Sequence, residues 1–145
     1  MKSKIKKDWH NRDKSIDEIH HESMEWISEI DFISDEIRFL NNLLSSNYID
    51  CLDAGLTKKT TIFLKKLDEY KKIGKTLHEL INKHETILAN LIETNSVTSN
   101  INYLKTHKNL DNEVYNYFKK YKRLKKQIFE VVENRIKKKD QKKLI

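Results

Sequence analysis

Apolar residues recur at alternating steps of three and four along this chain, in three separate stretches. That spacing keeps one side of an α-helix facing a neighbour, whereas a half-buried strand alternates at every second residue. The stretches cover residues 15–45, 55–93 and 100–138. The pattern therefore predicts an all-α fold made of three long amphipathic helices with coiled-coil-like heptad packing.

The first stripe passes through a series of mostly aliphatic positions: Ile16, Ile19, Ser23, Trp26, Ile30, Ile33, Ile37, Leu40 and Leu44. Ser15 followed by Glu18 has the spacing of a capping box, which satisfies free backbone amides at a helix start. The helix is predicted to end near Ser45 and Ser46, where the sequence turns polar.

The second and third stripes repeat the pattern. The second consists of Leu56, Thr60, Phe63, Leu67, Tyr70, Gly74, Leu77, Ile81, His84, Leu88 and Leu91. The third consists of Tyr103, His107, Leu110, Val114, Tyr117, Tyr121, Leu124, Ile128 and Val131. The second helix also carries Ile73, Leu80 and Ile87 beside its stripe, which predicts a wider apolar face touching both neighbours.

Two short polar breaks separate the helices, and the second is residues 93–100. Short connections make successive helices antiparallel neighbours, so the expected topology is an up-down-up bundle in one domain, residues 1–145. Residues 1–14 are expected to form a basic extension or extra helical turns, and residues 139–145 a frayed basic tail. Association with a second copy stays open.

The amino-acid composition excludes several kinds of functional site. The chain has no proline and only two glycines, nineteen residues apart, so a glycine-rich phosphate loop is excluded. A single cysteine, Cys51, lies between two acids and is expected to be unreactive, since nearby negative charge raises a thiol pKa. With neither a secretory signal nor a run of about 20 apolar residues, the expected location is cytoplasmic.

Three histidines are predicted to converge. His84 and His107 lie at similar distances on either side of the second break, and both occupy stripe positions. Folding the first helix against the second brings His20 to about the same height, with Glu22 as a further oxygen ligand. Imidazoles with a carboxylate between helices are typical of zinc or iron sites. The alternative is that His84 and His107 are hydrogen-bonded core residues without a cofactor.

Charge is unevenly distributed. Net charge is +7, yet residues 15–44 contain eight acids and one arginine, while residues 119–143 contain twelve basic residues and three acids. A basic helix end can bind anions such as nucleic acid or an anionic surface. The candidate anion-binding residues are Lys119, Lys120, Lys122, Arg123, Lys125 and Lys126. The alternative, a solvated face, makes nucleic acid an unlikely partner, and Tyr117 and Tyr121 are expected in the core.

Phe32 and Phe39 lie seven residues apart and away from the first stripe. Aromatic residues repeated on an outer helix face are typical of a contact with another chain. The alternative is that a neighbouring segment of the same chain covers them.

These observations predict a small helical-bundle protein that acts by protein–protein interaction or self-assembly rather than catalysis. The first alternative is a metal-binding bundle using His20, Glu22, His84 and His107. The second is an electrostatic binder using the basic part of the third helix. No small-molecule substrate is indicated, and no residue set is typical of a catalytic centre.

Overall fold

The computed structural model describes the backbone of residues 14–46, 54–97 and 100–143, and the side chains of residues 14–46, 58–97 and 100–134. Within these ranges the chain forms three helices: α1 (Ile16–Ser46), α2 (Ala54–Glu93) and α3 (Ile101–Lys143). The predicted all-α fold of three long helices is confirmed. Residues 1–13 and Cys51, about which predictions were made, lie outside the described residues.

The end of α3 differs from the prediction. The tail predicted to fray at residues 139–145 is helical as far as Lys143. No glycine or proline follows Gly74 to stop the helix. Lysines close to a helix C-terminus also interact favourably with the helix dipole, so a basic composition does not by itself predict fraying.

The predicted stripes form the core. On α1, every stripe position from Ile19 to Leu44 is buried, although Ile16 at the start is exposed. On α3 the buried position near the end is Val132, whereas the predicted Val131 is only half-buried. A straight helix drifts relative to a strict seven-residue repeat, which accounts for a shift of one residue after several turns.

Contacts between helices follow a consistent order. His20 and Asp31 of α1 contact Glu85 and His78 of α2, so the partners run in opposite chain order. His84 and Tyr70 of α2 likewise contact His107 and Tyr117 of α3. Both orders are those expected of antiparallel neighbours.

Local sequence signals determine the helix ends. The Ser15 hydroxyl accepts a hydrogen bond from the Glu18 amide at 3.2 Å, as the capping pattern predicts. Asn95 closes α2 in the left-handed conformation, with φ 54°. The Asn95 and Ser96 amides then donate to the Ile92 and Leu91 carbonyls at 3.1 and 2.9 Å, which is a Schellman motif.

Gly74 allows α3 to approach α2 closely. A Cβ at this position would lie 2.7 Å from the Tyr117 hydroxyl oxygen, which is inside van der Waals contact. That hydroxyl donates to the Tyr70 carbonyl at 3.0 Å, and Tyr117 is buried. Glycine inside a helix costs about 1 kcal/mol relative to alanine, so the contact has to offset that cost.

We expect Gly74→Ala to destabilise the protein by about 1 kcal/mol, because displacing buried Tyr117 outweighs the gain in helix propensity. In a Tyr117→Phe background, where the hydroxyl is gone, the same change should stabilise by up to about 1 kcal/mol. Urea unfolding of the four proteins in this double-mutant cycle measures both effects. An equal effect of Gly74→Ala in the two backgrounds would contradict the role assigned to Tyr117.

Candidate functional site

Four largely buried side chains form a hydrogen-bonded chain, here named the histidine layer: Lys14, Glu22, His107 and His84. Lys14 Nζ lies 2.5 Å from Glu22 Oε2, and Glu22 Oε1 lies 3.0 Å from His107 Nε2. His107 Nδ1 then lies 2.9 Å from His84 Nε2. The layer therefore joins all three helices and the residue that precedes α1.

Aromatic rings hold the two imidazoles in place. The Trp26 ring stacks on His107 with centroids 4.8 Å apart, and the Tyr103 ring stacks on His84 at 4.3 Å. Trp26 and Tyr103 occupy stripe positions of α1 and α3, so the periodicity that builds the core also forms the walls of the layer.

The hydrogen bonds define a direction of donation. A carboxylate only accepts, so His107 Nε2 donates to Glu22. With both imidazoles neutral, His84 Nε2 then donates to His107 Nδ1. This arrangement leaves a lone pair on His84 Nδ1, a buried atom without a hydrogen-bond partner in the described part of the protein.

Burial and neighbouring groups shift the pKa values of two residues in the layer, His84 and Glu22. Desolvation, followed by the proximity of His107, lowers the pKa of His84 from its ordinary 6.5 to about 4. Burial also raises the pKa of Glu22, but hydrogen bonds from His107 and Lys14 and the charge of Lys14 outweigh it and leave the pKa below its ordinary value. At neutral pH the layer thus contains an ionised Glu22 and a neutral His84.

Three further buried polar atoms have no hydrogen-bond partner among the described residues: Ser23 Oγ, Glu85 Oε1 and Tyr103 Oη. All three belong to residues that adjoin the layer in sequence or by stacking. Such an atom costs about 1–3 kcal/mol when it is buried without a partner. These atoms lie around the layer rather than elsewhere in the described core.

The structure brings together three of the four predicted metal ligands, namely Glu22, His84 and His107. His20 lies apart on the surface, where its Nδ1 is 2.6 Å from Glu85 Oε2 and its side chain is 57% exposed. Within the described residues, no group of three or more His, Cys, Asp or Glu side chains is arranged to hold a metal ion. The zinc or iron site stays a prediction.

The sequence did not reveal Lys14 as part of the site. Although lysine is seldom buried, Lys14 is only 4% exposed because it is paired with Glu22. Its position eight residues before Glu22, just over two helical turns, was the available signal. The capping residue Ser15 lies between Lys14 and Glu22. Because the residue before a capped helix start is expected to be solvated, this pattern did not suggest that Lys14 is buried.

The other predicted sites lie on the surface. Phe32 and Phe39 are 59% and 56% exposed, so within the described residues they form an open aromatic face of α1. Five of the predicted anion-binding residues are exposed on α3: Lys119, Lys120, Lys122, Arg123 and Lys126. The sixth, Lys125, is half-buried and pairs with Glu36 at 3.0 Å.

Tyr117 and Tyr121 are core residues, as expected. They are 5% and 2% exposed. The Tyr121 hydroxyl donates to Glu36 at 2.7 Å, and that carboxylate also accepts from Lys125. The hydrogen bond and the negative charge of Glu36 add to burial in raising the Tyr121 pKa. These contacts link acidic α1 to basic α3.

Comparisons of the chain with protein-family models, with curated proteins and with solved structures gave no match. None of the helices, over the residues searched, has an apolar stretch long enough to cross a membrane. Fold and site together define a three-helix bundle with a buried histidine pair.

Acid should destabilise the bundle through His84. The unfolded chain binds a proton near the ordinary histidine pKa of 6.5, whereas folded His84 does so only near 4, so stability falls as pH drops through that interval. Linkage gives a loss of about 2 kcal/mol between pH 7.5 and about pH 5. We expect His84→Gln to remove this part of the pH dependence in urea unfolding.

His21→Gln is the matched control, because the His21 side chain is 73% exposed. If wild-type protein and His84→Gln lose the same stability over that interval, the depressed pKa of His84 is contradicted. The stability that Glu22 contributes behaves differently: since its folded pKa is below the ordinary 4.5, this stability is lost only as pH falls further through the folded pKa.

Proposed function

We propose that this protein functions by assembling with other copies of itself through the Phe face, defined as Phe32 and Phe39 on α1. The observation that carries the proposal is the exposure of both rings, 59% and 56%, at positions seven residues apart. Two aromatic side chains on one side of a helix are the type of anchor that contributes most to binding at protein interfaces.

Charge favours a second copy as the partner. Acidic side chains surround the Phe face, and Asp31 and Asp35 are 64% and 76% exposed. The chain itself supplies an oppositely charged surface, because residues 119–126 contain six basic residues and no acid. Complementary charge on two surfaces of one chain steers copies together and sets their orientation.

Metal binding by the histidine layer is the alternative. Its support is His84 Nδ1, a buried nitrogen without a hydrogen-bond partner among the described residues, which lies in the same layer as His107 and Glu22. It is the weaker proposal, because both ring nitrogens of His107 already form hydrogen bonds, to Glu22 and His84, and a metal that used His107 as a ligand would have to replace one of them. An electrostatic role for α3 and a cytoplasmic location are further expectations that follow from charge and composition.

The test is the mass of the protein in solution. Wild-type protein should sediment above the 17.4 kDa of one chain at micromolar concentration, and Phe32→Gln with Phe39→Gln should return it to that mass. Glutamine keeps the helix propensity of α1, so the circular dichroism should not change.

Met24→Gln is the matched control, since Met24 is a 39% exposed apolar residue of the same helix. Its mass should equal that of wild-type protein. Loss of assembly in the Met24 variant, or its persistence in the double phenylalanine variant, would show that the Phe face is not the contact.

A further inference from the structure

The sequence predicted that Ile73, Leu80 and Ile87 of α2 would form a wider apolar face touching both neighbours, and in the structure this face stays partly open. The three side chains are 47%, 41% and 49% exposed. The core is closed by the stripe beside them, so their row remains at the surface. Spaced by seven, they lie along one side of α2, and Lys66 continues the same row.

Two members of this row, Lys66 and Ile73, line a groove between α2 and α3. The groove has a volume of about 670 Å³, and all the residues that line it belong to these two helices. Its apolar surface is formed by Tyr70, Ile73, Leu77, Tyr117 and Leu124. A concave, partly apolar channel between two helices is the surface into which a further helix packs.

The edges of the groove are charged. Lys66, Lys120 and Arg123 line it together with the acids Glu69 and Glu113. Lys120 and Arg123 belong to the run of six basic residues at 119–126, so the α3 edge has positive charge around it. An acidic helix with apolar anchors is therefore the ligand that the groove complements.

The Phe face has those properties. Phe32 and Phe39 are separated by about 10 Å along α1, which equals the spacing of the groove-lining pairs Tyr70 and Leu77 on α2 and Tyr117 and Leu124 on α3. The exposed acids of α1 then lie toward the basic edge. The convex face of a helix packs better into a groove than against a ridge. The outer ridge of α3, where Tyr115 and Phe129 are 54% and 41% exposed, is therefore the poorer receiving surface.

We infer that the Phe face of one copy docks into the α2–α3 groove of the next copy. The inference rests on the proposed self-assembly and names its receiving surface. In a bundle of three helices, the groove between two helices faces away from the third, so one molecule has the two surfaces on opposite sides. The contact is head-to-tail, and such contacts repeat into rings or filaments rather than stopping at a dimer.

Complementation between two variants tests the inference. The first variant, Phe32→Gln with Phe39→Gln, loses the Phe face and keeps the groove. The second, Ile73→Gln with Lys120→Glu, loses the groove and keeps the Phe face. Each should sediment as a monomer, and a 1:1 mixture should form one heterodimer of twice the chain mass that does not grow further.

Tyr115→Gln with Lys122→Glu is the matched control, because it removes one aromatic and one basic residue from the outer ridge of α3. It should assemble like wild-type protein. Assembly that survives in the Ile73/Lys120 variant, or that is lost in the Tyr115/Lys122 variant, would overturn the groove as receiver while the Phe face stands.

Further outcomes of these measurements would also overturn the inference. A mixture in which both variants stay monomeric would overturn the head-to-tail contact, whereas an Ile73/Lys120 variant that forms dimers by itself would overturn it in favour of a symmetric pairing of Phe faces. A wild-type protein that is monomeric at every concentration would overturn the proposed function itself, together with this inference.

Discussion

Three helices can enclose a core only if each turns one stripe inward, and this constraint determines the rest of the molecule. Residues from Ile19 to Leu44 on α1 and matching stripes on α2 and α3 meet this requirement. Apolar residues immediately beside a stripe, such as Ile27 and Leu64, are half-buried against the core, whereas others outside the stripes stay exposed in the described bundle. The exposure of Phe32, Phe39 and the Ile73 row follows directly, and so does the groove between α2 and α3.

The same constraint explains the histidine layer. His84 and His107 occupy stripe positions, so folding buries them whatever their polarity. Burial is tolerated because each imidazole hydrogen-bonds within a chain that ends at Glu22 and Lys14, and because aromatic rings stack on both. The layer fixes the relative heights of the three helices, since its contacts form only in one register. Because burial lowers the pKa of His84, protonation of this residue makes the layer the acid-sensitive part of the core.

The sequence predicted the three helices and the contact between His84 and His107. Both depend on the periodicity of apolar residues and on the rise per residue of a helix, which are local properties of the chain. The sequence placed His20 in the same cluster and missed Lys14, because the rotation of a side chain about the helix axis and its pairing depend on how helices pack. The role of Gly74 was equally hidden, since it depends on the approach of Tyr117 from another helix. Ile73, Leu80 and Ile87 are 41–49% exposed, and hydrophobic spacing alone does not reveal how far the neighbouring helices cover such a face.

We propose that two surfaces not buried within the bundle, the Phe face and the α2–α3 groove, join copies head to tail through apolar anchors and opposite charges. Sedimentation velocity of the wild-type protein, across a hundredfold range of concentration at low and high salt, tests it most directly. The account predicts mass that rises with concentration past the dimer and falls at high salt, because screening weakens the acidic–basic contact. A constant mass of 17.4 kDa under all these conditions would contradict it.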